Sequence, residues 1–331
     1  MENEKSITKT ISGFIELQAQ YPFSVCMGGI VGLLVGDAVG VPYEFNSPNS
    51  LPARELLEMN PPITFDRSHS GTPPGTWSDD GAQALCVLAS CLEPDGFDIE
   101  DLSSRLCDWK NNGYMAVDRR VFDIGIQTGA AIDKLDQGIS PFDSGGNTEQ
   151  SNGNGSLMRV LPLALLHDDL DTLLVLEAHL QSAPTHAHAR SFVVCAWFCL
   201  VARSYMNKDD DPWNTAFVRL FQIYREWVIE DERKILLAEL DNVMYSPFRK
   251  KPTGSGYVVD TFWSVKRAME EDTFEDVIKT AIGFGHDTDT TACVAGGLAG
   301  IKFGFSGIPT RWLQQLRGWE TVSGLIANIL K

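Results

Sequence analysis

Residues 25–40, VCMGGIVGLLVGDAVG, pair the hydrophobicity of a buried helix with glycines at 29, 32, 36 and 40. Spacings of three and four place those glycines along one helix face. Each costs a helix about 1 kcal/mol relative to alanine, so close approach of a second helix is the expected compensation. The apolar part, Val25 to Val35, stops short of Asp37 and reads as too short to span a bilayer. A core helix of this kind needs other helices around it.

The rest of the chain supplies them. Apolar residues recur at helical spacing over 81–92, 98–110, 117–136, 170–181, 188–206, 213–228, 257–270, 273–283 and 290–303, and few segments alternate as a half-buried strand would. Proline and glycine clusters at 60–75, 140–155 and 251–256 punctuate these helices without forming a linker. The expected fold class is all-α, with one compact domain over 25–331. Residues 1–24 form an N-terminal extension in which Ile7, Ile11, Phe14 and Ile15 share a helical face. That face can dock on its own domain or on a partner protein.

A net charge of −17, spread along the chain, argues against broad contact with nucleic acid or anionic lipid. A phosphate-bearing ligand would have to be held locally, by metal ions or backbone N–H groups. The seven cysteines contain no CxxC pair and sit mostly in apolar runs, as reduced core residues do. No apolar signal core follows MENEKSITKT, so the expected location is cytoplasmic.

Two acidic clusters carry the chemistry. Ser78-Asp79-Asp80 and Asp287-Thr288-Asp289-Thr290 each lead into a small-residue apolar segment. Side chains at i, i+1 and i+2 do not share a helix face, but at a helix start they can converge and the helix dipole stabilises them. Oxygen-only donors suit Mg²⁺ or Mn²⁺ better than zinc. Ordinary N-capping uses the same residue types, so chemistry alone leaves both readings open.

The ordered motifs VGLLVGDAVGVPYEF, GTWSDDGAQALCVLA, RRVFDIGIQTGAAI, GNGSLMRVLPLALL, GSGYVVDTFWSVKRAM and GHDTDTTACVAGGLAGIKFG resemble the ADP-ribosylglycohydrolase family from about residue 25 to about residue 320. The resemblance implies a single all-α domain with a binuclear Mg²⁺ or Mn²⁺ centre. Its ligands would be Ser78, Asp79, Asp80, Asp287, Asp289 and Thr290. Glu44 matches the family's acidic residue near the bond that is cut, and Asp123 matches an acidic position implicated in the bacterial arginine-specific members, so both are the implied catalytic residues. Ser78 stands where many members have threonine, and His286 falls where many have a small residue, beside the metals.

The implied reaction releases ADP-ribose from a modified protein side chain, most readily arginine because FDIG resembles the bacterial arginine-specific branch. Gly153, Asn154, Gly155 and Ser156 form a loop whose N–H groups could cradle the diphosphate. It is neither a Rossmann nor a Walker sequence. Arg159 reads as a phosphate partner or a structural ion pair. His186 is expected to border the substrate, and Gly254, Gly256 and Tyr257 to approach it, with the tyrosine ring stacking on adenine. His179, His186 and His188 lack a zinc pattern. Two other readings are an immunity protein that blocks a toxic ADP-ribosyltransferase with residues 1–24, and a hydrolase of small ADP-ribosyl conjugates.

Overall fold

The computed structural model describes residues 23–167 and 170–329. Among them the regular structure is helical: α1 (Phe23–Gly40), α2 (Asp79–Cys91), α3 (Ile99–Asn112), α4 (Ile126–Asp136), α5 (Pro141–Ser144), α6 (Leu161–Leu166), α7 (Asp171–Ser182), α8 (Ala189–Asn207), α9 (Pro212–Arg225), α10 (Glu230–Met244), α11 (Val258–Ala268), α12 (Phe274–Gly283), α13 (Thr288–Phe303), α14 (Thr310–Gln315) and α15 (Trp319–Ile329). Two isolated bridges, Gly146 with His186 and Gly153 with Tyr257, are the only strand-like pairings among the described residues. The all-α, single-domain expectation holds. The 1–24 extension and its apolar face lie outside the described residues, except that α1 already begins at Phe23.

The centre of the fold is α1 lying antiparallel on α13. A Cβ added at Gly28 would overlap Gly300, at Gly32 Gly296, at Gly36 Ala292 and at Gly40 Asp289. The working row is therefore 28, 32, 36 and 40, and the sequence reading misplaced its first member. Gly29 turns toward the Leu165 side chain instead, because successive residues diverge by about 100° around a helix. The length expectation also needs correction. Ser24–Tyr43 is long and apolar enough to cross a membrane, yet 94% of it is buried inside the protein, as a core helix.

The antiparallel seam brings the C-terminus of α1 to the N-terminus of α13, where the Thr288 hydroxyl donates to the Gly40 carbonyl at 2.8 Å. One turn earlier, Asp37 accepts backbone N–H groups from Ser78 and Gly81, which docks the start of α2 on the same spot. Three helix ends thus meet at one place. The expected helix over 117–136 forms only from Ile126. Asp118, Arg119 and Asp123 take positive φ, which interrupts helical hydrogen bonding and leaves 120–125 as a loop beside that meeting point.

Candidate active site

Ser78, Asp79, Asp80, Asp287, Asp289 and Thr290 converge where α2 and α13 begin. Part of this is capping: the Asp80 N–H donates to Ser78 Oγ at 3.3 Å, and that hydroxyl donates to Asp80 Oδ2 at 3.1 Å. Gln83 donates to Asp79 Oδ2 at 3.1 Å, and Asn154 to Asp287 Oδ2 at 2.8 Å. The Thr290 hydroxyl interacts with both Asp80 and Asp287, linking the two clusters.

Capping does not account for everything. Asp80 Oδ1 and Asp289 Oδ2 are buried and have no hydrogen-bond partner, a condition that costs each group several kcal/mol by rough estimate. Burial first, and then mutual repulsion, holds Asp79, Asp80 and Asp289 well above the usual carboxylate range. Orphaned carboxylate oxygens on two facing helix starts, with hydroxyls beside them, fit hard divalent cations. Nitrogen and sulfur ligands are absent from the cluster.

Glu44 follows a single 3₁₀ turn, Val41–Tyr43, at the end of α1. It places a carboxylate oxygen within 4.8 Å of those of Asp287 and Asp289. Burial, and then the charges of Asp123, Asp287 and Asp80, push its carboxyl up to about 11. Asp123 reaches the same region from the 120–125 loop, half-buried and with φ +59°. His286 contributes through its backbone: its N–H donates to Asn46 O at 2.7 Å and its carbonyl accepts from Phe45 at 2.6 Å. The imidazole itself is exposed.

These groups floor a cleft of about 580 Å³, lined by Glu44, Asp79, Asp80, Asp123, Asp287 and Thr290 on one side. Gly153, Asn154, Gly155, His186 and Gly256 line the other. Side chains would crowd this wall, since a Cβ at Gly155 would lie 2.8 Å from His186. Burial, then Arg159, pulls His186 down to about 3, so the ring is neutral in the folded protein. The loop does not run straight into a helix, because α6 starts only at Leu161. The Asn154 N–H is already bonded to Gly256 O at 3.1 Å, so it is not a free phosphate donor.

Three expected substrate contacts lie elsewhere. The Ser156 hydroxyl sits behind the wall, 2.8 Å from Ser182 Oγ. Gly254 supports the floor, accepting the Asp287 N–H at 3.0 Å. The Tyr257 hydroxyl accepts from Arg190 at 3.2 Å, and its ring packs on Phe248 over a separate pocket of about 450 Å³.

Arg159 is fully buried, and its partners are neutral: Gln83 Oε1 at 2.8 Å, the Gln181 carbonyl at 2.8 Å and Thr185 Oγ1 at 2.8 Å. It is neither a phosphate contact nor an ion pair. Through Gln83 it braces Asp79, and through Thr185 it braces His186, whose Nδ1 is 2.8 Å from the same hydroxyl. The three histidines near 179–188 do not converge. His179 bonds Tyr224, and His188 accepts the Arg190 N–H at the start of α8. Glu149, His188 and Glu239 cluster, but Arg190 already bridges both glutamates.

Sequence reading missed Asp37, Asp260 and His69. Asp37 had a signal, as the single charge in an apolar helix. Asp260 orders the 253–256 loop by accepting from Thr253 and Ser255 at 2.8 and 2.9 Å. His69, in a proline-rich loop, had none.

Comparison with known proteins places nearly the whole chain. The sequence profile of the ADP-ribosylglycohydrolase family matches residues 21–331. The chain is 28% identical to the ADP-ribosylarginine hydrolase Tri1 of Serratia proteamaculans, over 91% of this chain and 78% of that protein. It is 30% identical to the Tri1 of Pseudomonas putida, over 91% and 76%. It is 26% identical to the ADP-ribosyl-[dinitrogen reductase] glycohydrolase of Rhodospirillum rubrum, over 88% and 89%. A solved structure described as an ADP-ribosylglycohydrolase-related protein complex superposes with a TM-score of 0.71 at 27% identity, covering 93% of this chain and 97% of the other. The chain belongs to the ADP-ribosylglycohydrolase family.

Proposed function

We propose that this protein is a divalent-metal-dependent hydrolase that removes ADP-ribose from modified arginine side chains of proteins, acting in the cytoplasm. The observation that carries the reading is the pair of orphaned carboxylate oxygens, Asp80 Oδ1 in the lining of the cleft and Asp289 Oδ2 buried beside it, under a rim that holds Glu44 and Asp123. The arginine linkage is supported by two relatives named ADP-ribosylarginine hydrolase. The acidic rim complements a guanidinium leaving group.

Ser78, Asp79, Asp80, Asp287, Asp289 and Thr290 would hold two Mg²⁺ or Mn²⁺ ions. Bound there, such ions supply charge that orients ribose hydroxyls and makes water more acidic. The chain's own residues do the rest. The glycines at 153, 155 and 256 let the ligand approach the backbone, and neutral His186 adds no charge beside it. Glu44 delivers a proton to the leaving guanidino nitrogen as the C1″–N bond breaks. Asp123, on the same rim, accepts a proton from the attacking water. Water's oxygen joins the anomeric carbon, giving ADP-ribose and unmodified arginine.

The test is to incubate the protein with arginine-linked and serine-linked ADP-ribosylated substrates, with and without Mg²⁺ or Mn²⁺, and measure free ADP-ribose. Metal-dependent release from arginine is the expected result. Release from serine alone would overturn the linkage, and release from neither would overturn the reading.

A further inference from the structure

We infer that His69 is a positioning residue of this site: its imidazole fixes the orientation of the Glu44 carboxyl at the cleft. This rests on the functional reading above for what Glu44 does, though not for where it points. His69 Nε2 lies 2.6 Å from Glu44 Oε2 and 3.8 Å from Asp123 Oδ1. Glu44 and Asp123 line the cleft, whereas His69 stands behind them.

A glutamate has three side-chain torsions, and the carboxyl of Glu44 sits among those of Asp123, Asp287 and Asp289 with several directions open to it. Without a fixed partner, the carboxyl would be free to swing out of line. A short hydrogen bond from a fixed ring opposes that swing.

The ring is fixed from several directions. It packs between Phe45 and Phe122, with centroids 5.7 and 5.1 Å away. The preceding residue, Ser68, donates its hydroxyl to the Glu44 carbonyl and its N–H to Pro42 O. The His69 carbonyl accepts the Thr72 N–H at 2.7 Å, closing the turn. Phe45, His69 and Asp123 all take positive φ, at +62°, +50° and +59°. Non-glycine residues enter that region at an energetic cost, and here the three of them surround one carboxyl group.

The test uses His69→Ala, His69→Gln, Glu44→Gln and the Glu44→Gln/His69→Ala double variant in the full chain. Steady-state release of ADP-ribose from an arginine-linked substrate gives kcat and KM, and thermal melts with and without Mg²⁺ report folding and metal uptake. His69→Ala should lower kcat about tenfold to a hundredfold with KM and the Mg²⁺-dependent melting shift unchanged. His69→Gln, which keeps a hydrogen-bonding amide at that position, should recover much of that loss. Adding His69→Ala to Glu44→Gln should cost nothing further. A kcat within twofold of wild type in His69→Ala, or losses that multiply in the double variant, would overturn the inference. If the wild-type protein hydrolyses no ADP-ribosyl bond, the functional reading fails separately. The imidazole ¹⁵N shifts of His69 then decide the pairing: Glu44→Gln moves them if the bond exists and leaves them in place if it does not.

Discussion

The Asp37 carboxylate accepts the Ser78 N–H through both oxygens, at 2.9 and 3.0 Å, and the Gly81 N–H at 2.8 Å. These donors are among the N–H groups that a helix start leaves without intrahelical partners, so α1 sets where the first turn of α2 begins. That turn carries Asp79 and Asp80. Burial drives Asp37 up to about 7 against the pull of those bonds. Asp37→Asn presents an amide to N–H donors and should cost about 1–3 kcal/mol of stability, measured by urea denaturation. Mg²⁺ binding should weaken in the same variant, read by calorimetry. Wild-type values in both measurements would show that the contact is dispensable.

The glycine row makes a paired prediction. Alanine at 36 must displace the Ala292 carbonyl, whereas alanine at 29 presses on the flexible end of Leu165 and reaches Ile301 at ordinary contact distance. Gly36→Ala should therefore lose about 1–3 kcal/mol from overpacking, despite alanine's better helix propensity, and Gly29→Ala should change stability by less than about 1 kcal/mol. Equal effects in denaturant melts would contradict the seam.

The buried carboxylates predict opposite pH responses with and without metal. Asp80 and Asp289 titrate higher in the fold than in the unfolded chain, so the metal-free fold binds extra protons. Their contribution in EDTA should improve as pH falls from 8 toward 5. The stabilisation given by Mg²⁺ should instead shrink over that range, because protons compete for the same oxygens. Asp289→Asn should flatten the first trend, remove most of the second and abolish turnover while the protein stays folded. Thermal melts at pH 8 and 5.5, with and without Mg²⁺, check all three.

His179 works in the other direction. It is buried against Phe192 and Tyr224, and burial lowers its value from 6.5 to about 3. Above pH 6.5 it is neutral in both states and contributes no pH dependence. Below 6.5 the unfolded chain takes a proton that the fold refuses, so stability falls as pH falls, continuing to about 3. Between pH 7.5 and 5.5 the wild type should lose about 1.4 kcal/mol that His179→Gln does not lose. Parallel pH curves for the two proteins in urea would refute this.

Local patterns in the chain already announced the helical class, the two acidic clusters at helix starts and the need for a close-packed glycine seam. Periodicity, capping chemistry and backbone bulk all act within a few residues, so they leave a readable trace. What escaped notice depended on partners far along the chain. Asp37 meets Ser78 across 41 positions, and His69 meets Glu44 across 25. Whether the glycine at 28 or 29 faces α13, which way Ser156 and Tyr257 turn, and what satisfies Arg159 are likewise settled by packing between distant helices. Folding creates those neighbours, and a hydrogen bond between groups so far apart imposes no spacing on the sequence that joins them.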